Sequence, residues 1–150
     1  MLTKKKLAKL LIHIGESEMG IEFARQSLCK APSFEPYASF QRIDRGGKGY
    51  ISAKDVLSFQ QENGVSGVEM MECTHLVKFF DSTLEGRLHY TDYLQIVLPC
   101  DSQYLRAQAT QRETYEVANG QTLPYDVEKL LSRLIFKELK LAREEEHLKQ

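Results

Sequence analysis

The sequence predicts an all-α protein, and three observations carry that prediction. Apolar residues recur at three- and four-residue intervals through most of the chain, the spacing of one face of a helix. Two twelve-residue segments, DRGGKGYISAKD at Asp44–Asp55 and DSTLEGRLHYTD at Asp81–Asp92, follow one plan, and each lies between two such periodic stretches. A single apolar-periodic run closes the chain from about Pro124 onward. The expected organisation is an N-terminal helical arm over 1–32, a paired helix–loop–helix unit over 33–100 and a helical extension over 101–150.

Composition narrows the class. A chain of 150 residues allows one domain, or one small domain with extensions, and can bury a sizeable core. Hydrophobic residues make up 42%, an ordinary share for a globular protein. Net charge is −1, from 20 basic and 21 acidic residues, without the basic excess of a nucleic-acid binder. Cys29, Cys73 and Cys100 are odd in number and far apart, which argues against a disulfide framework or a zinc site and for buried free thiols in a reducing compartment. The basic start MLTKKKLAKLLIHIG lacks the apolar length and cleavage site of a signal peptide, and no segment reaches the ~20 apolar residues of a membrane span. These readings point to a soluble, cytoplasmic protein.

In the arm, Leu7, Leu10, Leu11 and Ile14 share a helix face, with Lys4, Lys5, Lys6 and Lys9 largely off it. The basic cluster is a solvated helix start, or a contact for an acidic partner or membrane surface. Gly15 is expected to end that helix. A second helix is expected from about Ser17 to Cys29, with Met19 (or Ile21), Phe23, Ala24 and Leu28 inward and Pro32 as its stop. Phe34, Tyr37, Phe40 and Ile43 form an aromatic-rich stripe leading into Asp44, and Val56, Leu57 and Phe59 face it after the loop. Asn63–Gly64 ends that helix. Ser66 with Glu69 reads as a capping box for the next, whose apolar positions are Val68, Met71, His75 (or Leu76), Phe79 and Phe80. Tyr93, Ile96, Val97 and Leu98 follow the second loop before Pro99.

Each loop opens with Asp, has Gly at its sixth position, an aliphatic residue at its eighth and a carboxylate at its twelfth, and their starts are 37 residues apart. In these features residues 34–99 resemble a pair of EF-hands, the helix–loop–helix units of the calmodulin superfamily. The resemblance implies a four-helix pair whose loops are bridged at Ile51 and Leu88. It also implies a ligand set: side-chain oxygens at loop positions 1, 3, 5 and 12, a carbonyl at 7 and often a water at 9.

Tested against that set, the first loop fails. Asp44 suits position 1, but Gly46 at position 3 has no side-chain oxygen and Lys48 puts a cation at position 5. Tyr50 offers only a carbonyl, Ser52 fills position 9, and Asp55 at position 12 is one methylene shorter than the usual Glu. Two unit charges about 4 Å apart repel by about 4 kcal/mol at an effective dielectric near 20, so Lys48 is expected to pair with Asp44 or Asp55 and the loop to bind no calcium. The second loop is closer to a working site. Asp81, Thr83, Glu85, the Arg87 carbonyl and Asp92 are its candidate metal ligands, with His89 at position 9. Arg87 and His89 add positive charge and Asp92 is short, which suits at most a weak calcium or magnesium site.

Beyond Pro99, Ser102 caps a polar helix over about Gln103–Arg112 anchored by Leu105, and Asn119–Gly120 is a turn. The final helix carries Val127, Leu130, Leu131, Leu134, Ile135, Leu139, Leu141, Ala142 and Leu148. At 1.5 Å per residue it runs about 37 Å, longer than the pair requires. It is expected to dock in part on its own pair and to leave its last turns to a partner or to solvent. No nucleophile–base set, phosphate loop or metal-catalysis motif is present, so no enzyme, small-molecule substrate or cofactor is expected beyond that weak metal. The resulting expectation is a mostly calcium-independent adaptor or structural subunit that binds a partner helix or surface in a larger assembly. Such proteins occur in cytoskeletal assemblies, including the axonemes of cilia. The alternative is a calcium-responsive regulator acting through the second loop.

Overall fold

A computed structural model describes residues 3–148 and contains seven helices among them: α1 (Lys4–Lys30), α2 (Pro36–Ile43), α3 (Ala53–Glu62), α4 (Met70–Phe80), α5 (Tyr90–Val97), α6 (Gln103–Thr110) and α7 (Tyr125–Leu148). The all-α class is as predicted. The α2–loop–α3 and α4–loop–α5 units lie side by side, and α7 packs chiefly against α1 and α4 while also touching α3 and α5. Buried apolar residues from all three expected segments join one hydrophobic cluster. No described helix is long and apolar enough to cross a membrane.

The arm departs from expectation. α1 is one helix of 27 residues that runs straight through Gly15 and Gly20. A glycine inside a helix costs about 1 kcal/mol relative to alanine, a penalty that packing along α7 outweighs. The inward stripe is Ile14, Ile21 and Leu28, seven residues apart, with Leu10 and Ala24 packed against it. Met19 and Phe23, expected inside, are exposed, as are Leu7 and Leu11. The last turn of α1 is closed by Arg112, whose guanidinium donates to the carbonyls of Cys29, Ala31 and Phe34 at 2.7–2.9 Å. The Cys29 carbonyl is one of the acceptors that the helix end leaves unpaired, and the Ala31 and Phe34 carbonyls belong to the turn that follows it.

The helices of the pair hold with local corrections. Phe34 is buried but precedes α2, which starts at Pro36, and Tyr37 lies at the exposed edge of the stripe. α4 starts later than the Ser66 capping box predicts. The Glu69 N–H donates to Glu72 Oε1 at 3.0 Å, and Lys140 of α7 clamps the entrance through Glu72 Oε2 (2.7 Å) and the Gly67 carbonyl (2.9 Å). The choice of cap is therefore tertiary. The inner face of α4 is Cys73, Leu76 and Val77, whereas Met71 and Phe79 point outward. Two adjacent stripes satisfied the periodicity, and contact with α7 selects one. Cys29 and Cys73 are buried free thiols, as expected, but Cys100 is exposed. Burial pushes the Cys29 thiol up to about 12 and that of Cys73 to about 11, so both are inert at neutral pH.

α7 is docked along most of its length. Val127, Leu131, Leu134, Ile135, Leu139, Leu141 and Ala142 are buried, while the side chains of His147 and Leu148 lie outside the described ones. Its buried Glu138 accepts a hydrogen bond from Arg25 of α1 at 2.7 Å. Burial nevertheless pushes that carboxyl up to about 7, with Arg25 opposing the rise and Glu145 and Glu18 adding to it. The unfolded carboxyl titrates at its ordinary value, so the folded state holds the proton more tightly. The resulting stability is full at acid pH and is lost as pH rises through 7. Denaturant titrations of the wild type and Glu138→Gln between pH 4.5 and 8 should show the variant gaining on the wild type by about 3 kcal/mol with rising pH. A pH-independent difference would show that burial does not govern this carboxyl.

Candidate functional site: the bridged loop pair

The two loops face each other across one antiparallel bridge. Ile51 and Leu88 exchange N–H to carbonyl hydrogen bonds of 2.8 Å in both directions, at the positions predicted, and both side chains are buried. Gly49 and Gly86, at the sixth position of each loop, adopt φ of +87° and +77°, which L residues rarely enter. In each loop the opening Asp makes the turn. Gly49 donates its N–H to Asp44 Oδ2 at 2.7 Å, and Gly86 donates to Asp81 Oδ2 at 2.6 Å. Leu84, fourth in the second loop, adopts φ +58° and is almost wholly exposed.

The Lys48 ammonium lies in the middle of the first loop. Its Nζ donates to Asp44 Oδ1 (3.0 Å), the Arg45 carbonyl (3.0 Å) and Asp55 (3.2 Å to Oδ1), with Asp55 Oδ2 at 3.0 Å. Four oxygens thus surround one side-chain cation. Partial burial alone would lower the lysine pKa, but the two carboxylates outweigh it and hold the ammonium charged. Asp55 has a second duty: Oδ2 accepts the Ser52 N–H at 2.8 Å and closes a capping box on α3. Lys48 therefore pairs with both expected carboxylates.

In the second loop the candidate ligands are brought to one turn, and most of their oxygens have internal partners. Asp81 Oδ1 accepts the Thr83 N–H and hydroxyl, each at 3.1 Å. Burial would raise the Asp81 carboxyl, but the Gly86 and Thr83 donors prevail and hold it below the usual carboxylate range. Glu85 is drawn sideways to Arg87 (2.8 Å) and His89 (3.4 Å), and the Arg87 guanidinium lowers its pKa first of all, with Thr83 and His89 helping. Asp92 is buried and accepts N–H groups from His89 (3.1 Å) and Ser82 (3.3 Å). No ion pair among the described residues engages Asp81 or Asp92. The Arg87 guanidinium stacks on the Tyr50 ring at 4.7 Å, and Lys48 lies over the same ring at 5.4 Å, so Tyr50 joins the loops a second time.

Behind the first loop lies a buried polar cluster that sequence reasoning missed. Arg42, about 1% exposed, forks onto Glu128 of α7: Nε lies 3.0 and 3.1 Å from its two oxygens and Nη2 lies 2.7 Å from Oε2. Arg42 Nη1 lies 2.8 Å from Glu62 Oε2, an ion pair that falls outside hydrogen-bond angles. Asn63 Nδ2 and the Leu123 N–H also donate to Glu128. Nearby, Gln60 and Ser132 exchange two hydrogen bonds. These pairs fix α7 on α2 and α3, with Arg42 also over the Phe59 ring at 4.9 Å. The one available sequence signal was Arg42 itself, a charge set in an aromatic stripe.

Chemically, the loops form a clasp whose oxygens are largely engaged by the chain's own donors, and α7 covers the pair. Comparison of the chain with protein-family models, with curated proteins and with solved structures gave no match.

Proposed function

We propose that this chain is a non-catalytic adaptor or structural subunit built on a degenerate EF-hand pair, which presents its helices to a protein partner in a larger assembly without needing calcium. The observation that carries the proposal is Lys48, whose ammonium stands among four loop oxygens where a calcium loop would place its ion. A resident side-chain cation closes the loop at every calcium concentration, so the first loop has no metal-dependent state to switch. The buried contacts of α7 support the same reading, because the helix already covers much of the pair. Cytoskeletal and axonemal assemblies are settings for such a subunit.

A second reading, a calcium-responsive regulator, draws on one feature: among the described residues no side-chain cation pairs with Asp81 or Asp92. Isothermal titration of the full chain with calcium and with magnesium, repeated on Asp81→Ala, separates the two. No micromolar heat with either ion is the expected result. Micromolar calcium heat that disappears in Asp81→Ala would overturn the adaptor reading in favour of the regulator.

A further inference from the structure

Charge is unevenly shared along the chain. The first fifteen residues hold four lysines and no carboxylate, so the remainder carries −5 against −1 for the whole. Lys4, Lys5, Lys6 and Lys9 are all exposed, and no ion pair among the described residues uses any of them. The acidic end of α7 lies close by, yet it pairs elsewhere: Glu144 with His13 and Glu146 with Lys78. The lysines are therefore free to meet an external anion.

The same part of α1 exposes apolar side chains. Leu10 is the first residue of α1 that packs against the core and Ile14 the first that it buries, so six residues, about 9 Å of helix, lie ahead of the packed portion. At 100° per residue, Leu7 and Leu11 form one stripe and Ala8 and Ile12 the next. That arc, which carries Lys4 at its N-terminal end, lies between the core-facing stripe of Leu10 and Ile14 and the lysine stripe of Lys5 and Lys9. Leu11 is 52% exposed and Ile12 63%. Farther down the same side Met19 is 75% exposed and Phe23 73%, but the exposed Glu16 and Glu18 stand beside them, so the cation-bordered arc ends near Ile12. An apolar arc bordered by long cationic side chains matches the interface of an anionic bilayer: the leucines enter the acyl boundary and the lysines reach back to the headgroups. Nucleic acid would use the lysines and leave the apolar arc in water.

We propose that the N-terminal part of α1 is a docking surface for an anionic phospholipid membrane, on which the helix lies in the interfacial plane.

Sedimentation of the full chain with vesicles tests this, using phosphatidylcholine alone and an equal mixture of phosphatidylcholine and phosphatidylserine. The chain is expected to sediment with the mixed vesicles and not with the neutral ones, and added salt should weaken binding. Lys5→Glu with Lys9→Glu should lower the partition coefficient roughly thirtyfold or more. Leu11→Gln with Ile12→Gln should lower it by about tenfold. All four positions are exposed, and an unchanged circular dichroism spectrum verifies that each variant is folded. Absence of binding to the mixed vesicles at low salt would overturn the proposal, as would retention on heparin by a chain that vesicles do not bind. Binding that the glutamine pair leaves unchanged would overturn it too, because simple charge adsorption needs no apolar arc. None of these outcomes bears on the adaptor reading, which rests on the loops.

Discussion

A chain ending at Pro124 is expected to lose cooperative folding altogether. Removal of α7 strips six large apolar side chains from the common core: Val127, Leu131, Leu134, Ile135, Leu139 and Leu141. Burial of each stabilises by roughly 1.5–3 kcal/mol, so their sum is about the whole net stability of an ordinary domain, roughly 5–15 kcal/mol. The loss also uncovers the faces of α1 and α4 and leaves Arg42 buried without its main partner. Thermal unfolding followed by circular dichroism would show no sigmoidal transition in the truncated chain. A cooperative transition within a few degrees of the full-length one would mean that the helix–loop–helix pair is an autonomous domain and α7 an accessory.

Glu128→Ala should destabilise the protein by about 3–5 kcal/mol. Arg42 is about 1% exposed, and Glu128 supplies both oxygens of its fork. Without that carboxylate the guanidinium keeps only Glu62, which is 43% exposed in its side chain and lies 2.8 Å from Nη1 outside hydrogen-bond angles. The Leu123 N–H loses its acceptor in the same step, and the Asn63 amide keeps only the Phe59 carbonyl. Arg42→Met in the same background tests the cause, since removal of the stranded charge should recover a large part of the loss. Urea titration measures both. A single variant within 1 kcal/mol of wild type would show that water reaches Arg42 and that the pair does not anchor α7.

The legible parts of this protein are those set by neighbours in sequence. The all-α class followed from three- and four-residue periodicity, and the turn glycines and the Ile51–Leu88 bridge followed from the repeated loop plan. The pairing of Lys48 with Asp44 and Asp55 followed from charge at four- and seven-residue separations, distances that a loop closes by itself. The failures share one cause. Gly15 looks like a helix end, but α7 lies along α1 and carries the helix through it. Ser66 with Glu69 has the form of a cap, but Lys140, more than seventy residues away, holds Glu72 and Gly67 and moves the helix start to Met70. Met19, Phe23, Met71 and Phe79 obey helical spacing as well as Ile21, Leu28, Leu76 and Val77 do, and periodicity has no means of ranking adjacent stripes.

By itself the sequence determined the helical class, the two bridged loops and the pairing of Lys48 with the first loop's carboxylates, because each depends on residues within one turn or one loop of each other. Only the tertiary structure decided which helix faces are inside, that α7 docks along the pair, and that Arg42 and Glu128, 86 positions apart, form its buried anchor. Those choices depend on burial, which belongs to no local segment. A charge is stranded or satisfied, and a stripe inner or outer, only when a distant part of the chain arrives to cover it.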